Sequence, residues 1–293
     1  MKILITGATS KLGQALIPQL LKNSAIEKFY ILSRTKRPSG IFHLLNDNRI
    51  EYIQGDICKE LFFLDNLKKL DLCIHMAAVT HSNDEQEYYE VNEMGTKKLA
   101  DRLYSNGCKE FIFVSSHTAG MNAGAYAESK FLAEKYLFSM PWDQLLVLRP
   151  SEIVGAGSKE GLDKIENIAK KFRIYPCLIG IREIQFSPTR IEEIVRFIAG
   201  TLNEDLQGNR VQIVRGPTVT SIQLIEYFWK KYYAIPIPVF IPLLQIVSKI
   251  FSYVGIHFFA PDQFARLSGA RGQKSSYRSP LEEVVLESPF KLN

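Results

Sequence analysis

The fold is decided by residues 1–13, Met1-Lys2-Ile3-Leu4-Ile5-Thr6-Gly7-Ala8-Thr9-Ser10-Lys11-Leu12-Gly13. Residues 2–6 are β-formers in a run too short for a helix. From Leu12 onward, apolar residues recur at three- and four-residue spacing, which is typical of an amphipathic helix. The sequence therefore predicts a strand that turns at Gly7 directly into a helix. The free N–H groups and positive dipole end of such a helix form a phosphate site.

Three residues of this turn have distinct expected roles. Gly7 permits the tight turn, and Gly13 lets the helix pack closely against the strand. Ser10 has a small side chain whose hydroxyl can cap the helix or contact a phosphate. A strand–helix turn that binds nothing would carry similar residues, so later parts of the chain are needed to separate the two readings.

The pattern Thr6-Gly-x-x-Ser-x-x-Gly13 resembles the nucleotide turn of the short-chain dehydrogenase/reductase superfamily, in its extended, sugar-nucleotide-epimerase-like branch. The resemblance implies an α/β fold: a Rossmann-type doubly wound parallel sheet with a smaller C-terminal substrate lobe. It also implies a dinucleotide bound along the turn, at Gly7, Thr9, Ser10, Lys11, Leu12 and Gly13.

Composition narrows the class of protein. The chain has 293 residues, 46% of them hydrophobic, enough for one large core or a main domain with a smaller lobe. The net charge is +5, but basic residues are scattered among acidic ones, so we expect no nucleic-acid partner. Four cysteines and five histidines lack ligand spacing, which predicts no metal site and a reducing compartment. A strand beginning at residue 2 leaves no room for a signal peptide, so we expect a cytoplasmic protein.

The second strand, Phe29 to Leu32, bears on the choice of cofactor. It leads into Ser33-Arg34-Thr35-Lys36-Arg37. An acid at the end of this strand would bind the ribose 2′-hydroxyl, whereas an arginine suits a 2′-phosphate. Here Ser33 holds the acid position, and Arg34 can donate two parallel N–H bonds to a phosphate. The sequence favours NADP over NAD, with a solvated basic loop as the alternative.

Two further strands extend the resemblance. Ile50 to Gln54 precedes Gly55-Asp56-Ile57, where the family places an aspartate against the adenine amino group and an apolar residue against the ring. From the residues alone, Asp56 is equally an N-cap for a helix predicted over 59–69. Leu70 to Met76 forms strand four and precedes Ala77 and Ala78, whose small side chains let a flat cofactor lie against the backbone. We interpret His75 as a packed structural residue.

The catalytic prediction rests on two helices and a strand end. Strand five, Phe111 to Ser115, leads into Ser116. Tyr126 and Lys130 lie four residues apart on one helix face. Moving a tyrosine pKa from about 10 to 7 takes about 4 kcal/mol, and a nearby ammonium favours the phenolate.

The resemblance makes Ser116 the substrate-orienting hydroxyl, Tyr126 the proton-transfer group and Lys130 its partner, which also binds the nicotinamide ribose. Asn92, in an Asn-x-x-Gly motif of a helix predicted over 85–106, would bond backbone and water near the active site.

Strand six, Leu145 to Leu148, closes the first half of the chain. It precedes Arg149-Pro150, and the resemblance places Pro150 near the nicotinamide carboxamide. Gly155 and Gly157 would turn the chain into the substrate lobe. We therefore divide the chain into a dinucleotide-binding domain, 1–157, to which residues of about 186–214 return, and a mainly substrate-binding lobe, 158–293.

The sequence of the C-terminal lobe carries fewer recognisable motifs. Helices are predicted at 163–172, up to Leu202 and after a Thr220-Ser221 cap, with a strand at 210–214. Residues 235–260 are strongly apolar: Pro236 and Pro238 would form an entry turn to an amphipathic helix at 240–254. That helix is expected to pack in the core or a dimer rather than on a membrane surface. The tail, about 271–293, would contain one short helix. Candidate partners of a substrate diphosphate are Lys170, Arg173, Arg182 and Arg190.

The resemblance, with the residues that carry it, implies an NAD(P)-dependent oxidoreductase or epimerase acting on a nucleotide-linked sugar. Only nine residues separate Ser116 from Tyr126, and sugar-nucleotide epimerases usually carry a longer loop there. A reductase of a steroid-like or other apolar carbonyl is therefore one alternative. A non-catalytic dinucleotide-binding redox sensor or assembly subunit is another, although relatives of that kind typically lose the tyrosine. The resemblance also implies a homodimer formed through helices 85–106 and 125–139.

Overall fold

A computed structural model of the protein describes residues 1–35, 40–67, 69–155, 161–179, 185–203, 208–240 and 281–286. The strands are β1 (Lys2–Thr6), β2 (Lys28–Ser33), β3 (Ile50–Gln54), β4 (Leu72–His75), β5 (Glu110–Val114), β6 (Gln144–Pro150), β7 (Ile153–Val154), β8 (Ile174–Ile179), β9 (Gln185–Phe186), β10 (Thr189–Arg190), β11 (Gly208–Arg215), β12 (Val219–Thr220), β13 (Ile235–Phe240) and β14 (Leu281–Val285). The α-helices are α1 (Lys11–Leu20), α2 (Glu85–Tyr88), α3 (Thr96–Ser105), α4 (Ala125–Ser139), α5 (Gly161–Phe172), α6 (Ile191–Thr201) and α7 (Ser221–Tyr232). Short 3₁₀ helices span Phe42–Asn46 and Phe62–Asn66, and a π-helical segment, Tyr89–Gly95, joins α2 to α3.

The main sheet has eight parallel strands in the order β3-β2-β1-β4-β5-β6-β11-β14. The chain winds outward from β1 in one direction and then from β4 in the other. Ligands of such sheets bind beyond the carboxyl ends of the strands where the winding direction reverses. This arrangement confirms the predicted doubly wound fold and places a candidate site at the ends of β1 and β4.

Helices cover both faces of this sheet. Ile3 and Ile5 of β1 lie in one buried cluster, to which α1 and α6 contribute, whereas Leu4 lies in a second cluster with α3 and α4. Successive side chains of a strand point to opposite faces, so a continuous apolar run such as β1 has to be buried on both sides. Strand β1 therefore sits at the centre of the core.

The lobe has its own small core. Helices α5 and α7 pack on β8, which pairs in parallel with β13. Tyr175 of β8 stacks on Phe228 of α7 with ring centroids 4.7 Å apart. Thr220 caps α7 as predicted, and its partner in the capping box is Gln223. Within the described ranges, no helix is long and apolar enough to cross a membrane.

Two local predictions are wrong. The helix expected over 59–69 is reduced to the 3₁₀ turn Phe62–Asn66, because the buried leucines 61, 64, 67 and 70 repeat every three residues, the period of a 3₁₀ rather than an α-helix. Pro236 and Pro238 lie inside the exposed strand β13 rather than in an entry turn. This is possible because an edge strand needs no N–H donors on its outer side. The described part of the tail is strand β14, which joins the main sheet beside β11.

Some predictions fall outside the described residues. They concern the basic residues Lys36 and Arg37, Gly157, Arg182, the helix at 240–254 and the short helix of the tail, of which only residues 281–286 are described. The lobe's other basic candidates, Lys170, Arg173 and Arg190, are exposed. Of the four cysteines, Cys73 and Cys108 are buried as expected, and the other two are half-buried.

Candidate functional site

The turn after β1 has the geometry predicted for a phosphate site. Gly7 has a φ of +71°, and a Cβ built on it would lie 2.5 Å from the Met76 carbonyl carbon, so only glycine fits beside the end of β4. A Cβ on Gly13 would lie 2.6 Å from the backbone of Ala8, which explains its close packing role. The Ser10 hydroxyl accepts from the Gly13 N–H at 3.0 Å and caps α1.

A cleft of about 260 Å³ opens at the carboxyl ends of β1, β2, β3 and β4. Nine of the predicted cofactor-binding residues line it: Gly7, Thr9, Ser10, Ser33, Arg34, Asp56, Ile57, Ala77 and Ala78. Lys11, Leu12 and Gly13 do not line it and instead form the first turn of α1. The cleft is completed by residues that were not predicted to bind the cofactor: Thr6, Leu32, Thr35, Gly55, Met76, Val79 and Val91. Most of these directly flank a motif residue, so their position at the end of a predicted strand could have identified them as lining residues.

The polar groups and shape of this cleft suit the adenosine side of a dinucleotide. Asp56 presents a carboxylate, although one of its oxygens accepts from the Cys58 N–H at 3.0 Å and so shapes its own loop. Ile57 and Ala77 offer apolar surface for a ring. Arg34 is exposed at the rim beside Ser33. The residues present therefore fit the adenosine half of the dinucleotide that the sequence predicted.

A buried chain of hydrogen bonds runs from the end of β4 into the π-helical segment. The Ala77 N–H donates to Thr6 Oγ1 at 3.2 Å, which lies 2.6 Å from His75 Nδ1. On the other side, His75 Nε2 lies 2.9 Å from Thr96 Oγ1, which donates to the Asn92 carbonyl at 2.7 Å. These bonds are all satisfied when Nε2 carries the proton. Burial lowers the pKa of His75 to about 3, so it stays neutral and structural, as predicted.

Asn92 ties the loop after β4 to helix α4. Its Oδ1 accepts from the Val79 N–H at 2.8 Å, and its Nδ2 donates to the Val79 carbonyl at 2.9 Å. The same Nδ2 donates to Ser129 Oγ at 3.2 Å, and that hydroxyl donates to the Tyr126 carbonyl at 2.8 Å. Asn92 is fully buried, and through these contacts it connects the loop after β4 to the helix that carries Tyr126.

The two serines at the end of β5 have different partners. The Ser115 hydroxyl donates to the buried carboxylate of Glu134. Ser116 Oγ lies 2.8 Å from Thr118 Oγ1 and accepts from the Thr118 N–H at 3.2 Å. Ser115 is therefore committed to the interior, which leaves Ser116 as the hydroxyl beside the loop that leads to Tyr126.

Helix α4 places Tyr126, Lys130 and Glu134 on one face. The Lys130 ammonium is 1% exposed, donates to the Val114 carbonyl at 2.7 Å and lies 4.1 Å from the centre of the Phe113 ring. Burial lowers the pKa of Lys130 to about 7, and the charge of Glu134 opposes that shift. Tyr126 is buried at the start of the helix, with its ring edge-on to Tyr88 at 6.0 Å.

One element of the site was missed from the sequence. Arg149 of β6 forms a buried two-pronged ion pair with Glu134, in which Nε and Nη2 donate to the two carboxylate oxygens at 2.9 and 2.5 Å. The signal was available in the spacing Lys130-x-x-x-Glu134, which puts a carboxylate on the same face as the lysine. Pro150, the next residue of β6, is buried and accepts from the His117 N–H at 3.0 Å. Pro150 thus lies beside the Ser116 segment.

Comparisons with known proteins show which proteins the chain is similar to. Residues 4–125 match the model of the 3-beta hydroxysteroid dehydrogenase/isomerase family. The chain is 26% identical over 281 residues to a UDP-glucose 4-epimerase of Vibrio cholerae, an alignment that covers 85% of this chain and 82% of that protein. It is 28% identical over 138 residues to a UDP-N-acetylglucosamine 4,6-dehydratase of Campylobacter jejuni, covering 45% of this chain and 41% of the dehydratase.

A solved structure shares the fold. The UDP-glucuronic acid 4-epimerase of Bacillus cereus, crystallised in complex with NAD, superposes with a TM-score of 0.68 at 21% identity. The match covers 82% of this chain and 85% of that one. At this level of identity the similarity establishes the fold.

Proposed function

Because the chain belongs to the extended branch of the short-chain dehydrogenase/reductase superfamily, we propose that it is an NAD(P)-dependent oxidoreductase or epimerase of nucleotide-linked sugars. Two relatives named above act on sugars linked to a uridine diphosphate, according to their names. The observation that carries the proposal is the fully buried Lys130, held on the same helix face as Tyr126 and against the end of the strand that leads to Ser116. A buried ammonium is costly, so a functional role gives it a reason.

The cofactor would lie along the carboxyl edge of the sheet. Gly7 and Ser10 would hold its phosphates, and Asp56, Ile57 and Ala77 its adenine half. When bound, its nicotinamide would supply the hydride that is exchanged with a sugar carbon. The structural neighbour carries NAD, and the preference for NADP read from Ser33 and Arg34 stays a prediction.

Three side chains would handle the substrate hydroxyl. The Tyr126 phenol would give or take its proton as general acid or base. The Lys130 ammonium would stabilise the phenolate and bind the nicotinamide ribose. The Ser116 hydroxyl would orient the substrate oxygen by hydrogen bonding. Asn92 would keep helix α4 in register with the cleft through its bonds to Val79 and Ser129.

The variant Tyr126→Phe tests this assignment directly. We expect turnover to fall about 10²–10⁴-fold with cofactor affinity unchanged, because only the transferable proton is removed. Tyr136→Phe is a matched control: Tyr136 lies on the same helix, and its hydroxyl donates to Asp101 instead. Near-normal turnover of Tyr126→Phe would reject the mechanism.

The cofactor is identified by denaturing the purified protein and separating any released dinucleotide by chromatography. Stoichiometric NAD would indicate a cofactor that stays bound and is recycled, as in an epimerase, and would refute the NADP preference. An empty protein that binds NADPH more tightly than NADH would support that preference and a net reduction.

A reductase of an apolar carbonyl is the second candidate. It is favoured by the family description, which names hydroxysteroid dehydrogenases, and by the short segment between Ser116 and Tyr126. Competition with free uridine or thymidine diphosphate separates the candidates, because only a nucleotide-sugar site binds them. A non-catalytic role is disfavoured, since the relatives named above are enzymes and Tyr126 and Lys130 are both present.

A further inference from the structure

The two strands of the lobe, β8 and β13, begin at the same edge because they run parallel. Helix α5 ends at Phe172 just before β8, and helix α7 ends at Tyr232 just before β13. The Ile235 N–H donates to the Arg173 carbonyl at 2.9 Å and joins the two entry points. The carboxyl ends of α5 and α7 therefore lie side by side.

Large apolar side chains are exposed at this edge. We call the entry-edge patch the set Phe172, Trp229, Tyr233 and Ile235, each of which is more than half exposed. The Tyr233 N–H donates to the Trp229 carbonyl at 2.8 Å, so these two lie one helical turn apart. Single exposed apolar residues are ordinary, but four large ones gathered at one edge of the lobe, three of them aromatic, are typical of an interaction surface.

Basic residues flank the entry-edge patch in the sequence. Helix α5 ends in Lys170-Lys171, followed by Arg173, and α7 ends in Lys230-Lys231. Two carboxylates lie within reach: Glu226 binds Lys230 at 2.8 Å, and Glu166 binds Lys231 at 2.9 Å. The five cations outnumber these two acids. Lysines suit the negative end of a helix dipole, but that preference does not explain why the aromatic rings beside them are exposed.

We propose that the entry-edge patch binds the surface of an anionic lipid bilayer. Aromatic side chains are favoured at the headgroup level of a membrane, and nearby lysines and arginines are attracted to anionic headgroups. A symmetric dimer through the same patch would bring the cations of one copy against those of the other, which charge repulsion disfavours. The sequence analysis gave no reason to expect a membrane surface as a partner, and the proposal rests instead on the exposed residues that define the entry-edge patch.

The chain carries its own fluorescent probe for this contact. It has two tryptophans: Trp142 is buried in the main core, and Trp229 lies in the patch. Vesicles of phosphatidylcholine mixed with phosphatidylglycerol should shift the emission of Trp229 to the blue and co-sediment the protein. Vesicles of phosphatidylcholine alone should do neither, and high salt should weaken the binding.

Variants of the patch sharpen the test. Lys171→Ala with Lys230→Ala should weaken vesicle binding by about 5-fold for each charge removed. Phe172→Ser with Tyr233→Ser should also weaken vesicle binding, and this variant keeps Trp229 as the fluorescent probe. Phe62→Ser is the control, since Phe62 is similarly exposed beside a cation, Arg102, but lies on the dinucleotide domain. Cofactor affinity and melting temperature confirm that each variant is folded.

Three outcomes would overturn the proposal. The first is no binding to anionic vesicles. The second is binding that the patch variants leave unchanged. The third is a concentration-dependent dimer, seen by light scattering, that the patch variants dissociate, since the occupant would then be a second copy of the chain.

Discussion

The neighbouring strands β4 and β5 each end in a buried polar network built around a basic side chain, and the two networks differ in charge. At β4, His75 lies between two threonine hydroxyls, and burial lowers its pKa to about 3. At β5, Lys130 binds a backbone carbonyl beside the ion pair of Glu134 and Arg149, and burial lowers its pKa to about 7. The first network is neutral near pH 7, whereas the second holds an ammonium close to the pH at which it loses its proton.

This difference separates a group that serves the fold from one that serves chemistry. A neutral network with every donor matched to an acceptor stabilises a buried turn at little cost. Burying an ammonium costs free energy, whereas an apolar side chain of the same size would fill the space without that cost. Such costs are typical of functional sites, where part of the stability is given up for reactivity.

The largest expected effect is that of Lys130→Met, which removes the charge and keeps most of the volume. We expect turnover to fall about 10²–10⁴-fold, as for loss of a proton-transfer group. Stability should move the opposite way. The folded-state pKa of Lys130 is lowered, so the wild type loses stability as pH falls from 10.5 to about 7, and the variant does not.

Melting temperatures of the two proteins at pH 9 and pH 7 check this prediction. The advantage of Lys130→Met should grow toward pH 7. Lys135→Met, on the exposed side of the same helix, should change neither turnover nor this pH trend. A Lys130 variant that is less stable than the wild type at pH 7 would show that the ammonium serves the fold after all.

The neutral network at the end of β4 should make the protein less stable as the pH falls. Because the folded-state pKa of His75 is lowered, protonation of the unfolded chain favours unfolding once pH falls below 6.5, and the loss continues to about pH 3. The total loss is about 5 kcal/mol, or about 1.4 kcal/mol per pH unit. Urea unfolding of the wild type and His75→Gln should show this slope as the difference between them. Parallel pH profiles would mean that His75 titrates normally in the folded protein.

The ion pair behind Lys130 supports a third prediction. Glu134→Gln leaves the Arg149 guanidinium buried without its counter-ion, which should cost about 3–5 kcal/mol of unfolding free energy. It should also lower the pKa of Lys130 further, because the charge of Glu134 raises it. The double variant Glu134→Gln with Arg149→Met should recover most of the stability. If the single variant is as stable as the wild type, the pair does not anchor the charged network.

The two networks were not equally visible in the sequence. Strand β4 and its small residues follow a motif, so the structural role of His75 could be predicted, as could strands β1 to β6 to within two residues. Glu134 and Arg149 are distant in sequence and meet only through packing of α4 on β6. Local patterns also misled where geometry was unusual: an α-helix was predicted over 59–69, where Leu61, Leu64 and Leu67 repeat every three residues and the chain forms a 3₁₀ turn. Strand β13 was hidden by its prolines, which an edge strand tolerates.

The smallest expected effect tests the neutral network without touching its histidine. Thr96→Val leaves His75 Nε2–H and the Asn92 carbonyl without their partner, which should cost about 1–3 kcal/mol of stability. Thr96→Ser keeps the hydroxyl and should restore most of it. Turnover of the folded Thr96→Val enzyme should stay near that of the wild type, since we assign the side chains of His75 and Thr96 to the fold alone. A loss of turnover as large as that of Lys130→Met would mean that both strand ends take part in the chemistry, and that charge does not distinguish them.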